Sequence, residues 1–194
     1  MVAKIGFKRL TVRVLDGKTP ALGTNLLVVE GETGKGATQT AKISGLSSDP
    51  VKTRGSDIVY YTSRKGVGDV KAALALIDVP DKFENIVLGY LEQEGIVLIG
   101  DETEAPYCSI LLESSTPDNK IFAMGLFKGV FAKNEEEMKT AEEKRDSLPA
   151  ENYDYSAEAS DDPTLKNAYV GKVVGGSETE LNKLKKLLKM LPEG

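Results

Sequence analysis

The glycine-rich run at residues 31–36, which contains Lys35, comes closest to a motif that could do chemistry. A phosphate-binding loop requires the pattern GxxxxGK[ST] between a strand and a helix. Here the spacing is shorter, Gly36 stands where Ser or Thr is required, and strand-like sequence follows. The run is therefore predicted to be a turn or loop, since closely spaced glycines interrupt regular structure.

Catalytic and metal-binding side chains are scarce in this chain. It has no histidine, no tryptophan and a single cysteine, Cys108, which excludes ordinary zinc sites and Ser-His or Cys-His nucleophile systems. Carboxylate pairs of the kind that hydrolyse glycosides remain open, but such enzymes usually hold sugars on aromatic platforms. Cys108 alternates with Ile110 and Leu112, which indicates a buried apolar role. We therefore predict a protein that is not an enzyme and uses no cofactor or metal.

The length, the cysteine content and the net charge of the chain further narrow the class of protein. The 194 residues suit one domain, 1–194, no apolar run approaches the ~20 residues of a membrane helix, and one cysteine fits a reducing cytoplasm. The net charge of −5 argues against binding to nucleic acid. Residues 132–162 hold 11 acidic and 4 basic residues, a stretch that repels a phosphate backbone. An exposed solubilising segment explains the same composition.

Many short strands and few helices are expected. Apolar and polar residues alternate over 7–15 and 153–159, as in half-buried strands. Residues 57–62 and 70–79 are predicted to form a hairpin, although 71–77 also fits a helix by propensity. Further strands are predicted at 25–29, 38–43, 96–99, 107–114 and 165–174. The fold class is therefore mainly β, a sandwich or partly open barrel.

Two segments have helix signals at their ends. Residues 81–88 lie between Pro80 and Gly89, which suit a helix start and a helix end. Residues 177–191 begin with a capping box formed by Ser177 and Glu180 and carry a leucine stripe, so an amphipathic helix is predicted. Residues 134–145 fit either a solvated helix or the continuation of a strand.

One predicted strand, residues 121–131, is apolar on both faces, because successive side chains point to opposite sides. One face carries Phe122, Met124, Leu126 and Val130, and the other carries Ile121, Ala123, Phe127 and Phe131. The remaining strands have one polar side. This pattern predicts a subunit whose strand is covered on one side by an identical partner.

Four segments, in this order and spacing, resemble a known family. They are Gly6-Phe7-Lys8-Arg9-Leu10, Ile43-Ser44-Gly45-Leu46, Glu104-Ala105-Pro106-Tyr107 and Gly125-Leu126-Phe127-Lys128-Gly129-Val130-Phe131. So arranged, they resemble the major tail tube proteins of long, non-contractile-tailed (siphovirus-type) phages that infect Gram-positive bacteria. The similarity runs from about residue 6 to residue 174.

The resemblance implies a structural protein of the virion tail that is made in the host cytoplasm. Such proteins form hexameric rings that stack into a hollow tube around a tape-measure protein, together with tail terminator and distal tail proteins. The genome passes through the lumen without specific binding. Each subunit is a β-sandwich with a flanking helix, and terminal arms and loops join the rings. The chain is expected to have an N-terminal arm at 1–6 and no C-terminal immunoglobulin-like domain.

With the resemblance, the sequence gives three sets of predicted contacts. The subunit interface is placed at Phe122, Phe127, Val130 and Phe131. Charges that pair between stacked rings are placed in two loops, at Asp16, Lys18, Glu32 and Lys35. Acidic residues that face the lumen are placed at Glu135, Glu137, Glu142 and Glu143.

Two alternatives remain open at this point. The first is a monomeric β-sandwich that binds a carbohydrate or a cell-surface protein, with Tyr60, Tyr61 and Tyr90 as loosely grouped aromatic candidates. The second is the tube protein of a related contractile injection system, such as type VI secretion.

Overall fold

The computed structural model describes residues 5–63, 66–137 and 148–192. Its strands in chain order are β1 (Ile5–Val14), β2 (Leu26–Val29), β3 (Ala37–Ser44), β4 (Lys52–Gly55), β5 (Ile58–Thr62), β6 (Lys71–Ile77), β7 (Leu91–Gln93), β8 (Ile96–Leu98), β9 (Cys108–Ser115), β10 (Ile121–Ala132), β11 (Ala150–Glu158) and β12 (Val170–Gly176). The helices are α1 (Asp81–Leu88) and α2 (Glu178–Leu187), with a 3-10 turn at Pro163–Leu165. The prediction of a mainly β fold is confirmed.

The large sheet has the strand order β2-β1-β9-β10-β11-β6-β3, and β12 also pairs with β10. All of its pairings are antiparallel. The sheet curls, since the Thr38 hydroxyl on β3 donates a hydrogen bond to the Phe7 carbonyl on β1. Among the described residues the sheet does not close into a barrel. This arrangement is consistent with a β-sandwich.

Strand β10 takes part in both halves of this sheet. Residues 121–126 lie between β9 and β12, whereas residues 128–132 pair with β11. The register against β9 shifts between Leu126 and Gly129. Because such a shift exchanges the faces to which later side chains point, Phe131 packs in the same cluster as Leu126, and Phe127 packs in a different one. The predicted common face for Phe127 and Phe131 is therefore wrong.

The main core lies inside the curled sheet. Its buried members include Leu10, Val12, Leu74, Leu76, Ile110, Tyr153 and Tyr155. Cys108 is fully buried there as predicted, and burial raises the pKa of its thiol to about 12. Phe83 of α1 packs edge-to-face on Tyr153, with ring centroids 6.4 Å apart, so α1 closes part of this core.

Helix α2 covers the opposite side of β9 and β10. Leu111, whose sequence neighbours belong to the main core, points to this other side and packs with Phe127, Leu181, Leu184 and Leu188. The Ser109 hydroxyl also donates a hydrogen bond of 2.6 Å to the Leu188 carbonyl. The leucine stripe predicted for this helix is thus used to cover the subunit's own sheet.

Both predicted ends of α1 and the predicted start of α2 are confirmed, whereas α2 ends at Leu187 and not at residue 191, since Lys189 takes a left-handed φ of 57°. Pro80 precedes α1, and Gly89 ends it in the left-handed conformation at φ 70°. Ser177 and Glu180 form the expected capping box, in which the Ser177 amide donates to the Glu180 carboxylate at 2.8 Å. Within the described residues, neither helix has the length and apolar character that a bilayer span requires.

The predicted hairpin between residues 57–62 and 70–79 is wrong. Both segments are strands, but β5 pairs with β4, and β6 lies between β3 and β11. Residues 71–77 are strand and not helix, because Ala72, Leu74 and Leu76 all enter the main core at strand spacing. Alternation thus locates these strands without identifying their partners.

Candidate assembly surfaces

The residues predicted to form the subunit interface lie on β10, and the subunit itself covers most of them. Phe122, Phe127 and Phe131 are 5%, 7% and 2% exposed, and Val130 is half-buried. Phe131 packs edge-to-face on Tyr155, with ring centroids 5.0 Å apart, while α2 covers Phe127. The expectation that a partner must cover this strand is therefore wrong. These phenylalanines do not offer an exposed surface for assembly.

Asp16 and Lys18 belong to a hydrogen-bonded loop between β1 and β2. The Asp16 carboxylate lies 3.2 Å from the Arg13 guanidinium and accepts hydrogen bonds from the Lys18 amide at 3.1 Å and the Asn25 side chain at 3.0 Å. Lys18 is exposed, and its carbonyl accepts a hydrogen bond from Arg13. The charge of Asp16 is thus engaged inside the subunit, which weakens its assignment as a contact between rings.

Glu32 and Lys35 form an ion pair with each other across a single turn. The Gly31 amide donates to the Gly36 carbonyl at 3.0 Å, so residues 31–36 form the tight connection between β2 and β3 that the sequence predicts. Both charged side chains are exposed. Because each already has a partner in the same loop, a contact with another ring would compete with an existing pair.

The acidic stretch begins at a buried lysine. Lys133 follows β10 directly, and its ammonium lies 2.7 Å from the Glu84 carboxylate and 3.0 Å from that of Glu151. These carboxylates outweigh the opposing effect of burial and raise the pKa of Lys133. The ion pairs therefore join the end of β10 to α1 and β11.

The predicted lumen residues fall at and beyond the limit of the described segment. Glu135 and Glu137 are exposed, and residues 133–137 form neither strand nor helix. Residues 134–137 thus adopt neither the helix nor the strand continuation that the sequence allows for 134–145. Glu142, Glu143 and the rest of that segment lie outside the described residues.

Exposed apolar side chains concentrate on two short hairpins outside the large sheet. The first, which we call the basic hairpin, consists of β4 and β5 and carries Lys52 and Arg54. Tyr60 on β5 is 81% exposed. Its exposed apolar side chains are Ile58, Val59, Tyr60 and Tyr61.

The second, which we call the acidic hairpin, consists of β7 and β8 and carries Glu92 and Glu94 in and beside its strands. Leu91 is 63% exposed. Its exposed apolar side chains are Leu91, Ile96, Val97 and Leu98. Since an isolated two-stranded hairpin is at best marginally stable in water, both hairpins present surfaces that fit burial against another molecule.

Close backbone approaches fix the base of each hairpin to the body of the subunit. At Gly45, φ is +74° and a Cβ would lie 1.9 Å from the Asp69 carbonyl oxygen. At Gly89, φ is +70° and a Cβ would lie 2.0 Å from the Glu104 carbonyl oxygen. Only glycine fits such positions. The chain therefore leaves and re-enters the body at fixed points, and the hairpins project from defined places.

These features agree with a comparison against known families. A family model described as phage tail tube protein matches residues 2–153. The chain belongs to the phage tail tube protein family. The matched region contains the strands from β1 to β10, the start of β11 and both exposed hairpins, whereas β12 and α2 lie beyond it. No curated protein matches the chain.

Membership in the family defines the class of function. A phage tail tube protein is a structural, non-enzymatic component of the virion tail, and it assembles with itself and with other tail proteins. The resemblance found in the sequence is thus confirmed at the level of the family. Among the described residues, no group of three or more histidine, cysteine or acidic side chains could hold a metal ion.

The two hairpins of this tail tube protein were not predicted as assembly surfaces, and Tyr60 and Tyr61 were named only as candidates for binding a carbohydrate or a cell-surface protein. A signal was present, because 58–61 and 96–99 are runs of consecutive apolar or aromatic residues. A strand with apolar side chains on both faces is either buried in the subunit or exposed for a partner. The pattern does not distinguish these cases, and at residues 121–131 the subunit itself covers both faces of the strand.

Asp16→Ala should destabilise the tail tube subunit by about 2 kcal/mol at pH 7, because it leaves the buried Arg13 guanidinium without its carboxylate. Hydrogen bonds from Asn25, the Lys18 amide and Arg13 outweigh partial burial and lower the pKa of Asp16. A carboxyl group whose pKa is lowered in the folded state stabilises the fold at pH values above its ordinary pKa. This stabilisation is lost as the pH falls below about 4. Urea unfolding at pH 7 and pH 3 measures both effects.

Asp161→Ala is the matched control for this prediction. Asp161 is an exposed partner of Lys128, with a distance of 2.9 Å between the charged atoms. Exposed ion pairs contribute about 0.5 kcal/mol or less. Equal losses of stability from the two variants at pH 7 would contradict the structural role of Asp16.

Proposed function

We propose that this tail tube protein is the major subunit of the tube, and that it forms hexameric rings stacked into a hollow conduit for delivery of the genome. The observation that carries the proposal is the contrast between a sealed core and two exposed apolar hairpins on one subunit. A subunit of this kind folds alone but has surface left to bury, which is the requirement for ordered self-assembly after folding.

Open sheet edges support a repeating assembly. Strands β2 and β3 lie at the two ends of the strand order in the large sheet. Such edges can pair with neighbouring chains, and closure into a ring removes exposed edges without unlimited growth. The hexameric number, the long non-contractile tail and the Gram-positive host rest on the sequence resemblance.

The acidic stretch at residues 132–162 suits a channel through which DNA passes. Residues 132–162 are strongly negative, and the exposed side chains of Glu135 and Glu137 lie at its start. We place Glu135 and Glu137 toward the lumen. A negative lining repels phosphates and lets the genome slide without being retained.

Other tail proteins complete the proposal. The tube surrounds a tape-measure protein during assembly, and terminator and distal tail proteins contact the two ends of the tube. Before assembly, the subunit is in the cytoplasm of the host. These partners follow from the sequence resemblance and from the requirement that a tube of defined length has a ruler and two ends.

Negative-stain microscopy of the purified, concentrated protein tests the proposal. Rings with sixfold symmetry, or tubes of stacked rings, are the expected result, and sedimentation velocity should show mass that grows with concentration. A protein that remains a monomer and forms neither rings nor tubes at high concentration would contradict the proposal. That result would favour a monomeric binding module.

A further inference from the structure

The charges on the two exposed hairpins are opposite. The basic hairpin, residues 52–62, has two basic residues and one acidic residue. The acidic hairpin, residues 91–98, has two acidic residues and no basic one. The two segments that expose apolar surface therefore also carry complementary charge, which favours contact between them.

The apolar side chains of the acidic hairpin share one face. Leu91 lies opposite Leu98 and Gln93 lies opposite Ile96 in the hairpin register, so three exposed aliphatic side chains point to the same side. Glu92 lies opposite Val97 on the other side. One face is thus apolar and the other is mixed.

The basic hairpin has a corresponding arrangement on β5. Ile58 and Tyr60 share a face, since they are two residues apart on one strand. Val59, which pairs with Arg54, lies on the other face, whereas Tyr61 pairs with Thr53 beyond a shift in register and therefore lies on the face of Ile58. If the two hairpins lie side by side, the face with Ile58 and Tyr60 continues the aliphatic face of the acidic hairpin. The face with Arg54 then continues the face with Glu92.

The two hairpins do not cover each other within one subunit. They form separate two-stranded sheets, and the apolar side chains of both are exposed. Their bases are fixed at separate close approaches, one at Gly45 and the other at Gly89. The complementary surface is therefore supplied by a second molecule, and a second copy of this chain carries it.

We propose that the basic hairpin of one subunit docks beside the acidic hairpin of the next subunit, with their strands extending one shared sheet. This inference rests on the proposed self-assembly and names the surfaces that carry it. In such a pair, the first subunit still has a free acidic hairpin and the second still has a free basic hairpin. The contact is therefore heterologous and propagates around a ring or along a tube. It also covers the free edges of both hairpins, as strand addition does.

Charge exchange between the hairpins tests the contact. The variants are K52E/R54E, E92K/E94K and the combination of all four substitutions. Each double variant places like charges against each other and should raise the concentration needed for assembly about tenfold or more at low salt. The combined variant restores opposite charges and the wild-type net charge, so assembly should return to within about threefold of wild type. High salt should reduce these differences, because it screens exposed charges.

The control K82E/K166E changes the net charge by the same amount as K52E/R54E, at two exposed lysines outside both hairpins. Sedimentation and microscopy of all variants give the readout, and circular dichroism confirms that each is folded. Full assembly of both double variants would contradict the hairpin contact, and so would a combined variant that does not regain assembly. Neither result would contradict the proposal that the protein forms a tube. A wild-type protein that never assembles overturns both proposals.

Discussion

Phe127→Asp should unfold the subunit and should not yield a folded protein that merely fails to assemble. Phe127 is buried against α2, where it packs with Leu184 and Leu188. Removing a buried phenylalanine costs about 3–5 kcal/mol, and a carboxylate without a partner in that site adds a further penalty. The total approaches the entire stability of an ordinary domain, about 5–15 kcal/mol.

Thermal unfolding followed by circular dichroism measures this effect. The wild type should show a cooperative transition, whereas Phe127→Asp should show none or one that is lowered by tens of degrees. Phe127→Leu is the conservative control and should retain the transition, since it keeps an apolar side chain under α2. A folded, monomeric Phe127→Asp protein of wild-type stability would show that a partner, and not α2, covers this residue.

The double variant Ile58→Asp/Tyr60→Asp should have the opposite phenotype, a stable subunit that does not assemble. Both side chains are largely exposed on β5, and substitutions at exposed positions usually change stability by about 0.5 kcal/mol or less. In an interface, however, an aromatic anchor contributes about 2 kcal/mol or more. The concentration needed for assembly should therefore rise about thirtyfold or more.

Comparison of the two variants by sedimentation and thermal unfolding separates folding from assembly. The same kind of substitution, an apolar residue to Asp, is made in the core and on the hairpin. We expect loss of folding in the first case and loss of assembly in the second. Normal tubes from Ile58→Asp/Tyr60→Asp would exclude the basic hairpin as an assembly surface.

The covered core has a consequence for the order of events. Because α2 and the curled sheet bury both faces of β10, the subunit can complete its fold before it meets another copy. The apolar surfaces that remain exposed after folding lie on the two hairpins, whose bases are fixed to the body of the subunit at Gly45 and Gly89. Docking of preformed hairpins costs less ordering entropy than docking of segments that fold on contact.

Local features of the fold were predictable from the sequence because they depend on local patterns. Alternation around Leu10 and Val12 identified β1, Pro80 and Gly89 identified both ends of α1, and the Ser177–Glu180 capping box identified the start of α2. The role of Cys108 as a buried apolar residue also followed from its neighbours. Each of these depends on residues a few positions apart, where backbone geometry fixes the relation between them.

Features that depend on distant contacts were not predictable in the same way. The leucine stripe of α2 shows that this helix packs on something, but not that it covers Phe127 across more than fifty residues of sequence. The register shift after Leu126 moved Phe131 into the main core, and an alternating pattern contains no sign of such a shift. The hydrogen bond from the Ser109 hydroxyl to the Leu188 carbonyl likewise joins residues that only the folded chain brings together.

A cryo-EM reconstruction of the assembled protein tests the central claim most directly. We expect α2 to pack on β10 of its own subunit and the basic hairpin of each subunit to pack beside the acidic hairpin of a neighbour. A map in which both hairpins remain exposed to solvent, while a neighbouring chain takes the place of α2 on Phe127, would contradict it.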